Sequence, residues 1–233
     1  MIKISNIEVF GWQAAIRGMR NPLESWAKSD SGFEVLYDSE TESPSEFIKF
    51  VLGANDHDLA MRLAKAGSAH AKYSRMIHVQ CDILAPLYWW KEMETYRVGC
   101  AENPTDIEWD SCSTMHKIHA KEFSLDDFSH EHLTDYEYDG ELCREFAGTL
   151  ESLIDDLNVA RRLYIGTKDK EWWWQMIQLL PSSYNQLRTF DTNYQALAGM
   201  YRDRKNHKLD EWREFCSMIE CLPYSDLITM GVE

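Results

Sequence analysis

The run from Ile77 to Arg97 constrains this chain more than any other. Ile77, Val79, Cys81 and Ile83 alternate with His78, Gln80 and Asp82, which is the period of a half-buried strand. Ala85-Pro86 stops the ladder, because proline has no N–H to donate and its φ suits the first turn of a helix. Leu87 to Arg97 reads as that helix, bulky on most of its surface. After a loop holding Asn103-Pro104, the segment Ser111 to His119 gathers hydroxyls, a thiol and two imidazoles. A strand feeding a helix feeding a polar cluster is where an α/β protein tends to keep its chemistry.

The rest of the chain supplies mostly helices. Short strands are expected at Ile2-Lys3-Ile4, Ile7 to Phe10 and Phe33 to Tyr37. Helices are expected over Gln13–Met19, over Ser43–Gly53, and after an Asn55 cap up to Gly67. Leu142, Phe146, Leu150, Leu153, Ile154 and Leu157 form one stripe, predicting a helix over Glu141–Tyr164 closed by Gly166. Trp172–Leu180, Thr192–Lys205 and Asp210–Cys221 complete the set. The expected class is α+β, a helical layer packed on a small antiparallel or mixed sheet. With no repeat or linker, residues 1–233 are expected to form a single domain.

A net charge of −15 speaks against a broad grip on a nucleic-acid backbone, which needs a basic face. Nine tryptophans among 12% aromatic residues speak against disorder. No apolar run nears membrane-spanning length and no signal peptide is visible, so a cytoplasmic protein away from membranes is expected. The six scattered cysteines are then expected as reduced thiols, mostly within cores.

Several clusters have both a chemical and a structural reading. Cys112, His116 and His119 would share one face of a helix and could suit zinc, but Cys100 is the only nearby fourth ligand. Cys112 beside His116 reads as a nucleophile pair or as a buried, inert thiol. Tyr88-Trp89-Trp90 and Trp172-Trp173-Trp174 could stack on a flavin or a base, or fill a core. Arg202 and Arg204, at the end of a helix that starts near Asn193, offer guanidinium forks for a phosphate or a uracil-like edge, unless Asp203 simply pairs with them.

Leu180-Pro181, Tyr184, Asn193, Leu197, Arg204 and the helix near Glu211-Trp212 together resemble the C-terminal signature of the flavin-dependent thymidylate synthases. Gly67 with His70, the central strand, Ala85-Pro86 and the aromatic helix are similar to that family's first half, so the likeness covers about 56–221. The resemblance implies a homotetramer that binds FAD at subunit interfaces. It also implies use of NADPH and methylenetetrahydrofolate to methylate dUMP at C5. By position, Asn193 and His70 would face the flavin and Arg97 and Arg204 the nucleotide, with Ser113 and His116 acting near the pyrimidine. The family's Arg-His-Arg-x-x-Ser motif is not intact here. Thr95 and Tyr96 replace its first two members, Gln195 replaces the Arg of Asn-x-Arg, and Ile177 replaces a further nucleotide-gripping Arg. The alternative is a catalytically inactive, phage-type accessory protein on the same scaffold, acting through protein or nucleotide binding.

Overall fold

A computed structural model describes residues 2–37, 44–99 and 107–230. Strand β1 (Lys3–Phe10) is followed by helix α1 (Trp12–Arg20), strands β2 (Gly32–Tyr37) and β3 (Pro44–Val51), and helix α2 (Ala54–Lys65). Then come β4 (His78–Pro86), α3 (Leu87–Gly99), β5 (Glu108–Ser111), β6 (Tyr136–Tyr138) and β7 (Glu141–Arg144). Helices α4 (Phe146–Thr167) and α5 (Lys170–Leu179) precede β8 (Asn185–Asn193), α6 (Tyr194–Arg204), α7 (Asp210–Glu220) and α8 (Asp226–Thr229). Four strands pair in the order β1-β4-β8-β5, and β2-β3 and β6-β7 form antiparallel pairs. The class is α+β, as expected.

The central run behaves as its period demands. Val79, Cys81, Ile83 and Ala85 of β4 are buried, while His78, Gln80 and Asp82 are only half-buried. Pro86 ends the strand and α3 starts at the next residue.

Two compact units divide the chain. One comprises Met1–Ser5, Asp82–Tyr96 and Trp109–Thr189, the other Asn6–Cys81, Arg97–Glu108 and Phe190–Glu233. In the first, the inner stripe of α4 (Leu150, Ile154, Leu157, Ala160) packs with Met176 of α5 and with Ile118, Phe123 and Phe128. Asn158 sits in that apolar setting because its amide closes two hydrogen bonds, taking the N–H of Phe123 and donating to its carbonyl, both at 2.9 Å. Lys168 at φ 60° turns the chain, and Asp169 caps α5 by accepting the N–H of Glu171 at 3.0 Å.

The second unit is built on aromatic contacts. Trp12 meets Tyr194 and Tyr224 edge-on, each at 5.3 Å, and Phe50 face-on at 5.5 Å. Gly11, at φ 93°, lies so close to the Met76 carbonyl that a Cβ there would stand 1.9 Å from its oxygen. Arg20 is buried and its Nε donates to the fully buried Asp56 at 2.5 Å.

The structure departs from expectation at four places, once because a local hairpin forms and otherwise because pairing partners distant in sequence decide. Residues 44–51 form a strand, not a helix. Val35 stands opposite Ile48 and Phe33 opposite Phe50, and such cross-strand pairs outweigh a marginal helical spacing. The helix expected from Glu141 starts only at Phe146, because Asp139-Gly140 (φ 52° and 77°) turns a hairpin that uses Glu141–Arg144. Asn185–Asn193 is a strand whose alternation went unread, so α6 starts after Asn193. Residues 112–119 are turns, so Cys112, His116 and His119 share no helical face. Smaller shifts occur at helix ends: Gly53, not Asn55, is the residue before α2, and Lys168, not Gly166, follows α4. Cys81 and Cys216 are buried, whereas Cys112, Cys143 and Cys221 are exposed free thiols; Cys100 lies outside the described residues.

Candidate functional site

In the first unit the polar turn is anchored on β8. The N–H of Cys112 donates to the Leu187 carbonyl at 3.0 Å, and Gln186 Nε2 donates to the Cys112 carbonyl at 2.6 Å. Ser113 Oγ accepts the N–H groups of Met115 (3.2 Å) and His116 (2.9 Å), so the predicted pair Ser113 and His116 is joined by one local turn. Both are exposed, open to a ligand from solvent. His119 lies edge-on against Tyr164 at 4.9 Å, and its carbonyl accepts from Arg161 Nε at 3.0 Å. Among the described residues no group of His, Cys, Asp or Glu could hold a metal ion.

Beside this turn stand Lys121, Asp127 and Tyr184. The Lys121 ammonium is hydrogen-bonded to the Asp127 carboxylate, which raises the lysine pKa. Burial raises that of the Tyr184 phenol.

Arg188 was not read as a site residue from the sequence. Its guanidinium carbon lies 4.3 Å from the Trp90 ring centre and 5.1 Å from that of Trp109. Nε donates to Gln186 Oε1 at 3.0 Å, and Nη1 to Glu94 Oε1 at 3.3 Å. Burial lowers the Arg188 pKa, yet the group stays protonated at neutral pH. Its Glu94 partner is about half exposed, with 54% of its side chain open to solvent. The missed signal was the period of β8, which puts Gln186, Arg188, Phe190 and Thr192 inward and Leu187 and Thr189 outward. An arginine on the buried phase of a strand needs partners, and here two indoles and a carboxylate supply them.

In the second unit Asn193 is buried where β8 gives way to α6. Its Oδ1 caps the helix by accepting the Ala196 N–H at 3.0 Å, and its Nδ2 has no partner among the described residues. Thr192 Oγ1 next to it is buried without a hydrogen-bond partner. Arg204 is half-buried with its guanidinium 4.6 Å above the Trp212 ring. Asn193 thus precedes α6 and Arg204 is the last of its 11 residues, roughly 16 Å apart at 1.5 Å per residue. His70 is exposed in the turn after Gly67, where its N–H donates to the Gly67 carbonyl at 2.9 Å. Arg97 belongs to the last turns of α3, and its side chain lies outside the described residues. Arg202 pairs with Asp203 at 3.2 Å, the ordinary surface alternative.

Two positions that depart from the family motif have settled uses. Ile177 packs against the apolar core of the first unit, and Gln195 Oε1 accepts from Ser74 Oγ at 3.4 Å.

The scaffold is that of the flavin-dependent thymidylate synthases. The chain shares it with thymidylate synthase X (ThyX) from Helicobacter pylori solved with FAD and dUMP, at TM-score 0.64 and 14% identity over 98% of both chains. A second structure of the Helicobacter pylori enzyme complexed with FAD and dUMP matches at TM-score 0.62 and 12% identity, over 98% of this chain and 100% of that one. No protein-family model matches the chain, and no curated protein does. Among the described residues no helix is long and apolar enough to cross a membrane.

Proposed function

We propose that this chain is a diverged flavin-dependent thymidylate synthase-like protein that binds FAD and a pyrimidine nucleotide such as dUMP. Its reaction would be C5 methylation of the pyrimidine or a related modification. The observation that carries this reading is a likeness running the whole length of both chains, to structures solved with both ligands. Reduced FAD would supply hydride, with NADPH as its reductant and methylenetetrahydrofolate as the one-carbon source. The residues present fit part of that role. Asn193 keeps an unpartnered amide N–H2 at a helix start, suited to a flavin carbonyl. Arg204 lies over an indole face and would meet an anionic group, and Arg97 and His70 are assigned to the nucleotide and flavin by position. His116, an exposed imidazole, would carry a proton, and Ser113 would hydrogen-bond the pyrimidine. The protein would work as a homotetramer in the cytoplasm.

A second reading is an inactive scaffold acting by association, and Ile177 and Gln195 favour it. Each removes a guanidinium that would otherwise grip the nucleotide, at about 1.5 to 3 kcal/mol per charge-assisted contact. One preparation separates the two. Native protein is denatured and its released small molecules are identified by mass spectrometry, and dUMP-dependent NADPH oxidation is followed before denaturation. Flavin with turnover supports the enzyme; flavin or nucleotide without turnover supports the scaffold. Protein that stays colourless after incubation with excess FAD refutes the flavin reading.

A further inference from the structure

Arg188 is held more firmly than it is neutralised. Two indoles flank its guanidinium, Trp90 at 4.3 Å and Trp109 at 5.1 Å, and only 9% of the side chain is open to solvent. Gln186 fixes the inner edge: its Oε1 accepts from Arg188 Nε at 3.0 Å while its Nε2 donates to the Cys112 carbonyl at 2.6 Å. Trp90 is fixed as well, since its indole N–H donates to the Gln186 carbonyl at 3.0 Å. A guanidinium locked in this way presents one remaining edge, Nη1 with Nη2, in a direction that its neighbours set.

That edge is loosely matched. Nη1 meets Glu94 Oε1 at 3.3 Å, longer than the roughly 2.7–2.9 Å of a strong charge-assisted bond. Nη2 lies at the solvent edge and has no hydrogen-bond partner among the described residues. The Glu94 side chain is 54% exposed and makes no other hydrogen bond among the described residues. A carboxylate held by one long contact on a solvent-facing side chain is a counter-ion that another carboxylate can replace. Trp109 is only partly buried on β5, so an indole that flanks the cation also reaches solvent.

We infer that Arg188 anchors a binding site for a small carboxylic acid with an aromatic body. The ligand carboxylate takes Nη1 and Nη2 together, Glu94 swings out to solvent, and the aromatic body lies against Trp109. One carboxylate exchanged for another keeps the buried charge balanced, whereas a phosphate dianion would leave an excess negative charge beside two indoles. The site adjoins the polar turn, because Cys112, which Gln186 holds, immediately precedes Ser113. The inference goes beyond the proposed reaction and rests on neither flavin nor nucleotide binding. An ion pair that merely ties α3 to β8 would respond differently to its own removal.

The test uses the full-length protein in buffer free of carboxylate and phosphate, at constant ionic strength, with benzoate as the probe. Heteronuclear NMR of the indole N–H groups and thermal melts read binding, and Trp109→Phe assigns the Trp109 signal. Benzoate should shift that signal along a saturable curve, and acetate, which lacks the ring, should bind about fivefold more weakly. Glu94→Gln removes the internal competitor, so it should bind benzoate about two- to fivefold more tightly and gain more Tm from it than wild type does. Arg188→Lys keeps the charge but loses the fork, and should weaken benzoate at least about tenfold. Arg188→Met should abolish binding; if circular dichroism shows that it does not fold, Arg188→Lys and Glu94→Gln carry the test. A Trp109 signal that benzoate leaves unmoved in both wild type and Glu94→Gln overturns the inference. So does a Glu94→Gln protein that gains no Tm from benzoate, the pair then being structural only, and so do equal responses to benzoate, phosphate and chloride. Retention of FAD is read separately by absorbance, and its failure leaves the carboxylate site standing.

Discussion

Replacing Asp56 with Asn tests how the second unit is held. Asp56 is fully buried and accepts five hydrogen bonds: from Arg20 Nε at 2.5 Å, Ser29 Oγ at 2.8 Å, Ser31 Oγ at 2.6 Å, and the N–H groups of Asp30 and Ser31 at 3.0 Å. Asparagine keeps the shape but loses the charge, and it turns an N–H2 toward groups that are themselves donors. Breaking a buried ion pair from one side costs about 3–5 kcal/mol. Arg20 retains the Ser25 carbonyl at 3.2 Å and the Lys28 carbonyl at 3.1 Å, so a loss near the lower end, about 3 kcal/mol, is expected. For a chain of this size that corresponds to roughly 6–12 °C in Tm. The pH dependence has a definite sign. Burial alone would raise the Asp56 pKa, but bonds from Ser31, Ser29 and Arg20 outweigh it and hold the pKa below 3.8. The stabilisation is therefore complete above that value and is lost as pH falls through the lower, folded-state pKa. Urea denaturation of wild type and Asp56→Asn should show a gap that persists at neutral pH and closes only in strong acid. A gap under about 1 kcal/mol at pH 7 would refute the reasoning, since an unpaired buried guanidinium cannot be that cheap.

Three further outcomes are expected. Asn193→Ala should destabilise by about 1 kcal/mol through loss of the α6 cap, whereas Asn193→Asp keeps the cap and should lower only flavin retention, read by absorbance after gel filtration. Ser113→Ala should cost under about 1 kcal/mol in a thermal melt, since one exposed acceptor is lost, yet abolish dUMP-dependent NADPH oxidation while bound FAD stays. In native protein at pH 8, iodoacetamide should label Cys112, Cys143 and Cys221 but spare Cys81 and Cys216 in peptide mass spectra. Burial, with Glu220 nearby, pushes the Cys216 thiol up to about 11, leaving roughly one thiolate in a thousand.

Local pattern was readable wherever one element buries one face by itself. The β4 alternation, the stop at Pro86, the α4 stripe from Leu150 to Leu157 and the helices α1, α5 and α7 depend on spacing within a dozen residues, and the structure has each of them, while Leu142 and Phe146 of the expected stripe are exposed. The α+β class followed from their number and order. The likeness to flavin-dependent thymidylate synthases rested on single residues at fixed intervals, and the full-length structural match bears it out as a fold.

Tertiary structure alone decided what depends on partners far along the chain. Ile48 belongs to a strand because Val35 stands across from it, a pairing no local window contains. Arg188 joins Trp90, Trp109 and Glu94, residues 79 to 98 positions away, so only the folded chain makes it a candidate. Ser113 and His116 meet through a turn and not a helix, because β8 takes the hydrogen bonds of Cys112 that a helix would have used. Spacing in sequence sets which side of an element a residue occupies. What lies opposite that side is set by the packing of elements that the sequence keeps apart.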